Sequence, residues 1–145
     1  MSRVQGLLFD TNVISELVRE SPDPGVVRWL TRQDPALTHL SAISLGELAY
    51  GIARMPTGSR RSRLESWLDV DVRQQFAGRL LDFGERQALA WGGLRARCER
   101  QGIPRGALDL QIAATAAVAD LALCTRNTRD FDNLGIALVD PWHAR

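Results

Sequence analysis

"LLFDTNVISEL", residues 7 to 17, runs three apolar residues into an acid. Leu7, Leu8 and Phe9 read as a short buried strand, Asp10, Thr11 and Asn12 interrupt it, and apolar residues resume at helical spacing. An Asp at that junction has two readings. It is a cap for the orphan N–H groups of the following helix, or it is a chemical tool held at the end of the strand.

The same alternation continues outward along the chain. A helix over Val13 to Glu20 ends at the breaker run "SPDPG", and helical spacing returns from Val26 to Gln33. "ALTHLSA", residues 36 to 42, reads as a strand, followed by a helix from Ser44 to Arg54 with Leu45, Leu48, Ala49 and Ile52 on one stripe. A charged helix spans Ser59 to about Gln75, a strand 78 to 83, a long helix Glu85 to Gln101 and a second helix Ala107 to Ala119. Strands at 121 to 125 and 136 to 141 close the chain. Strands alternating with helices predict an α/β sandwich with a mostly parallel sheet, because parallel strands need crossover helices. With 145 residues and no linker or repeat, one domain spanning residues 1 to 145 is expected. Such sheets bind ligands at the carboxyl ends of their strands, near the switch in strand order, and that rule locates Asp10.

Composition narrows the chemistry. All 18 basic residues are arginine, against 17 acidic ones, so the net charge is +1 and nothing global advertises nucleic-acid binding. The absence of lysine argues against a P-loop, whose lysine sits on the phosphates, and against a phosphatase of the haloacid dehalogenase type. Cys98 and Cys124 match no zinc spacing and read as reduced core thiols, which together with the lack of an export signal or membrane span predicts a cytoplasmic protein.

The candidate site is a set of acids. Asp10 ends the first strand; Glu47 lies on the helix 44 to 54 among apolar neighbours; Asp109 is in the first turn of "GALDLQIAATAAVA". "TRNTRDF", residues 125 to 131, brings Thr125, Asn127 and Asp130 to the end of a later strand. Each has a bland alternative: a cap, a solvated helix edge, dipole complementarity or a turn. Together they would converge on one sheet edge, provided the first and fourth major strands are neighbours. Gathered carboxylates repel unless a cation lies among them, and all-oxygen ligands select Mg2+, with Mn2+ possible, over zinc. Magnesium commonly bridges to substrate phosphate, which makes phosphate esters the expected substrates. Gly46 and Gly51, poor helix formers, predict that another group approaches their helix closely.

Five segments, "DTNVISEL", "SAISLGELAYGIARMP", "GALDLQIAATA", "CTRNTRDF" and "LVDPW", run in order over nearly the whole chain, which resembles the PIN-domain ribonucleases, specifically VapC toxins of prokaryotic toxin–antitoxin pairs and their FitB-like relatives. The resemblance implies a PIN-like three-layer α/β/α sandwich, Mg2+-dependent endoribonuclease activity, and a homodimer inhibited by a small antitoxin through which operator DNA is bound. It maps the family's acidic positions onto Asp10, Glu47 and Asp109, with Asn127 as a neutral fourth position. Asp10, Asp109 and Glu47 become the expected metal ligands, supported by Thr11, Asn12, Thr125 and Asp130. Arg126, Arg129, Arg60, Arg61 and Arg63 are candidate RNA contacts. The rival readings are a PIN nuclease of RNA maturation and a catalytically silent module that regulates transcription with its antitoxin.

Overall fold

Leu8 and Phe9 are adjacent, buried to 0% and 3% exposure, and belong to different apolar cores. A strand buried on both faces belongs inside a parallel sheet, covered above and below. The computed structural model, which describes residues 6–144, has that arrangement. Strand β1 (Leu7–Phe9) lies between β2 (Thr38–Ser41) and β4 (Ala122–Cys124), with β3 (Leu80–Leu81) outside β2 and β5 (Leu138–Val139) outside β4. Every pairing is parallel, and Phe9 stands opposite Leu40 on one side and Cys124 on the other. The strand order therefore reverses between β1 and β4, which opens a crevice at their carboxyl ends.

Helices cover both faces. Phe9, Leu40 and Cys124 pack with Val13 and Ile14 of α1 (Thr11–Glu16), Leu48 of α3 (Ala42–Ala53), and Val72 and Phe76. Trp29 and Leu30 of α2 (Pro24–Thr31) adjoin this core. On the other face, Leu8 and Leu123 meet Cys98 of α6 (Glu85–Arg100) and Leu110, Ile112, Ala113 and Ala116 of α7 (Ala107–Ala119). Small residues suit α7, which is buried over much of its girth between the sheet and α6. The two cysteines are free buried thiols in the cores on opposite faces of the sheet. The result is the expected α/β/α sandwich.

Several boundaries differ from the sequence expectation, each for a local reason. Helix α1 begins at Thr11, two residues early, because Asp10 caps it. The expected strand at 36 to 42 shortens to β2 because Asp34 caps a 3-10 turn over Pro35–Leu37. The charged helix from residue 59 is α4 (Ser59–Ser66), then a π-helical segment Trp67–Val72 and the short α5 (Arg73–Gln75). The extra residue per turn in a π segment has no signature in apolar periodicity. No described helix is long and apolar enough to cross a membrane.

The glycines of α3 overturn one expectation. A Cβ at Gly46 or Gly51 would meet nothing within 4 Å, so no group among the described residues approaches the helix closely there. Gly6 is the position where closeness rules: its φ is +155°, and a Cβ would lie 2.4 Å from the Leu37 carbonyl oxygen. Gly6→Ala should lower stability by about 1–3 kcal/mol. Gly92→Ala, inside α6 with open space around the new methyl, should raise it by about 0.5–1 kcal/mol. Thermal denaturation of the two variants checks the opposite signs.

Candidate active site

The crevice after β1 and β4 is built from side chains that hold one another. Asp10 caps α1 and also lines the crevice. Its Oδ1 accepts the Thr11 N–H at 2.8 Å, while Oδ2 accepts the Thr125 hydroxyl at 2.8 Å and the Asn12 amide at 3.3 Å. Thr125, buried after β4, uses the same Oγ1 to accept the Asn127 N–H at 3.0 Å. Asn12 closes the loop from the other side, its Oδ1 accepting the Arg126 N–H at 3.3 Å. The turns after β1 and β4 are thus tied across the switch point. Asp10 itself is only 6% exposed, and burial pushes its carboxyl above the usual range, opposed by the Thr125 and Thr11 hydrogen bonds.

Helix α3 supplies Glu47. Ser41 caps α3 by accepting the Ile43 N–H, and one turn on, Glu47 Oε1 accepts the Thr11 hydroxyl at 2.7 Å. Thr11 Oγ1 also lies 3.0 Å from the buried Ser44 hydroxyl, so Thr11 links α1 to α3. Asp109 enters from the first turn of α7, where the helix dipole favours an acid. Its carboxyl is nevertheless pushed up to about 6, first by burial and then by the charges of Asp10, Asp130 and Glu47, with Arg105 opposing. A carboxylate raised by its acidic neighbours marks a place short of positive charge.

Asp10, Thr11, Asn12, Glu47, Asp109 and Asn127 line one cavity of about 460 Å³. Asp130 is exposed and does not line it, though its charge reaches Asp10 and Asp109. Of the candidate arginines, only Arg126 lines the cavity, with its guanidinium 5.0 Å over the Trp142 ring. Arg129 lies outside it; its carbonyl accepts Arg105 at 2.7 Å. Arg60 stands 3.8 Å from Glu20 and borders an adjoining cavity, Arg61 is held by Glu65 at 2.8 Å and by the Met55 carbonyl, and Arg63 is exposed. That trio is not gathered at the carboxylates.

Sequence reasoning missed four residues of the lining: Ser15, Glu16, Arg19 and Trp142. Glu16 is 3% exposed, accepts the Asp23 N–H at 2.8 Å and pairs with Arg19 at 3.1 Å. The Asp23 N–H, followed by Arg19, holds its carboxyl below the usual range. A signal was present: Asn12, Ser15, Glu16 and Arg19 follow the i, i+3, i+4, i+7 rule and form a polar stripe opposite Val13 and Ile14.

The donors fit a hard divalent cation. Every candidate donor is an oxygen, although among the described residues no three His, Cys, Asp or Glu side chains stand arranged to hold a metal ion by themselves. Magnesium suits such an open set, since it keeps several waters and takes one or two carboxylates plus substrate phosphate.

Comparison with known proteins places this geometry. The PIN domain family matches residues 7–137. The chain is 37% identical to VapC ribonuclease Y4jK of Sinorhizobium fredii, over 94% of this chain and 97% of that protein. It is likewise 37% identical to Toxin FitB of Neisseria gonorrhoeae, over 94% and 99%. The structure of FitAB bound to an IR36 DNA fragment superposes with a TM-score of 0.91 at 34% identity, covering 96% of this chain and 97% of that one.

Proposed function

The chain belongs to the PIN-domain family, and from that premise we propose that it is a Mg2+-dependent endoribonuclease, the toxin of a type II toxin–antitoxin pair acting in the cytoplasm. The observation that carries the reading is the cavity that Asp10, Glu47 and Asp109 line together, with Asp109 raised to about 6 by burial and by its acidic neighbours. Relatives named ribonuclease and toxin support the RNA substrate and the toxic role.

In this reading Asp10 and Asp109 would hold the ion, directly or through water, while Glu47 and Asn127 would complete its shell or orient the attacking water. Bound there, the ion would supply Lewis-acid activation of that water and offset charge on the leaving oxygen. Thr125 and Thr11 keep the Asp10 carboxylate aimed by bonding both of its oxygens, and Thr11 fixes Glu47. The neutral Asn127 leaves one fewer formal charge for a second ion than an Asp would. The DNA-bound FitAB relative supports a second role, in which a homodimer of this chain binds a small antitoxin and, through it, operator DNA.

The test is incubation of purified, antitoxin-free protein with total cellular RNA in Mg2+ or in EDTA, with the cut ends mapped by sequencing. Discrete cuts in Mg2+ that vanish in EDTA are expected. Folded protein that cuts no RNA in Mg2+ or Mn2+ would overturn the enzymatic reading and leave the antitoxin-bound regulator.

A further inference from the structure

A second cavity, of about 370 Å³, lies between one face of α2 and the C-terminal segment, lined by Arg28, Trp29 and Arg32 with Pro141 and Trp142. Helical spacing makes it: Gly25, Arg28, Trp29 and Arg32 follow i, i+3, i+4, i+7 and so share one side of α2. Three features set it apart from a solvated helix edge. Its lining holds two arginines and no acid, and neither arginine forms an ion pair among the described residues. Its walls carry two indoles, a rare concentration in a chain with four tryptophans. Trp142 borders both this cavity and the one around the carboxylates, and Arg126 stands over its ring, so the two cavities adjoin at that indole.

We propose that this second cavity is a subsite for single-stranded RNA, in which Arg28 and Arg32 hold backbone phosphates on one side of the bond to be cut and the exposed part of Trp142, half-buried and overlain by Arg126, meets a flanking base. The proposal deepens the ribonuclease reading and rests on it. Its physical basis is complementarity: the acids of the first cavity repel a polyanion, and the strand must be held by cations beyond them. Arginine forks match phosphate oxygens bidentately, and a base stacks on an indole whatever its sequence. A protein segment docking here would exploit the indoles but would need acidic side chains to meet Arg28 and Arg32. Single-stranded RNA supplies aromatic faces and anions at every step.

The experiment measures binding of a fluorescent twelve-nucleotide oligouridylate in EDTA, where nothing is cut, to wild type, R28Q/R32Q and the control R86Q/R100Q. Arg86 and Arg100 are exposed residues of α6 outside both cavities, so the control removes the same charge elsewhere. We expect R28Q/R32Q to keep its melting temperature and to bind about tenfold more weakly. Its plot of log affinity against log salt should be shallower by about 1.4, for two phosphates at about 0.7 each. In Mg2+ the same variant should raise KM for the oligomer with kcat within about twofold, as expected when uniform binding is lost. Equal losses in R28Q/R32Q and R86Q/R100Q would reduce the effect to net charge and overturn the subsite. So would wild-type RNA affinity and salt slope in R28Q/R32Q, which would leave the two arginines no part in holding RNA. Wild type that neither binds nor cuts RNA would bring down the ribonuclease reading itself, an outcome distinct from failure of the subsite alone.

Discussion

Asp10→Asn should abolish RNA cleavage, by about a thousandfold or more, while leaving a cooperatively folded protein. A thousandfold loss corresponds to about 4 kcal/mol of transition-state stabilisation, a reasonable share for a carboxylate proposed to hold the ion beside the reacting phosphate. Folding should survive because asparagine is as good a helix cap as aspartate, and its carbonyl can still accept the Thr11 N–H that Asp10 Oδ1 accepts at 2.8 Å. Two opposing effects act on stability. The substitution removes a charge that burial disfavours, and it disturbs the Oδ2 contacts with Thr125 and Asn12. Their near cancellation predicts a melting temperature within a few degrees of wild type in EDTA. Gel assays of RNA cleavage and thermal melts on the same preparation provide the check. Wild-type cleavage by Asp10→Asn would remove Asp10 from the site, and an unfolded variant would show that its cap and cross-strand bonds carry more of the fold than this balance allows.

The two readings of Asp10 in the sequence, cap and chemical tool, need not exclude each other. A carboxylate has two oxygens, and here one caps α1 while the other reaches across the switch point to Thr125. That link was legible only in part: "TRNTRDF" marked a strand end, but the adjacency of β1 and β4 is a tertiary fact that no local periodicity encodes. Apolar runs and helical stripes were enough to place the elements, because burial on both faces forces them. Their ends were less legible where a cap or a turn intervened, as at Asp10 and Asp34. Trp142 was unreadable for a different reason. Its partner Arg126 lies sixteen residues away, and a tryptophan after a terminal strand resembles any core anchor until the C-terminal segment is seen to fold back beside α2. Glycine reasoning failed at Gly46 and Gly51 because propensity identifies an unusual residue without saying whether its neighbour belongs to the same chain.

Mg2+ should stabilise the protein strongly at pH 7.5 and weakly at pH 5, and Asp109 should carry much of the difference. Its carboxyl titrates at about 6 in the fold, against about 3.9 in an unfolded chain. A raised folded value means that the metal-free native state holds its proton longer than the unfolded state. The stabilising contribution is therefore complete below about pH 4 and is lost as pH rises through about 6. With Asp109 only partly buried, solvent screening reduces that loss to about 1 kcal/mol. Asp10, raised by burial, adds in the same direction. A divalent ion binds the deprotonated form, so at pH 5 a proton competes at Asp109 and weakens affinity about tenfold, while at pH 7.5 the ion meets a charged site. At a hundred times its dissociation constant the ion would add about 2.7 kcal/mol to stability at the higher pH. Thermal melts in EDTA and in Mg2+ at pH 5, 6 and 7.5 measure both slopes. Asp109→Asn should flatten the metal-free pH dependence to the part due to Asp10 and should shrink the Mg2+ shift at pH 7.5. A Mg2+ shift of equal size at all three pH values would mean that the ion does not draw on Asp109, and its place among the metal ligands would have to be given up.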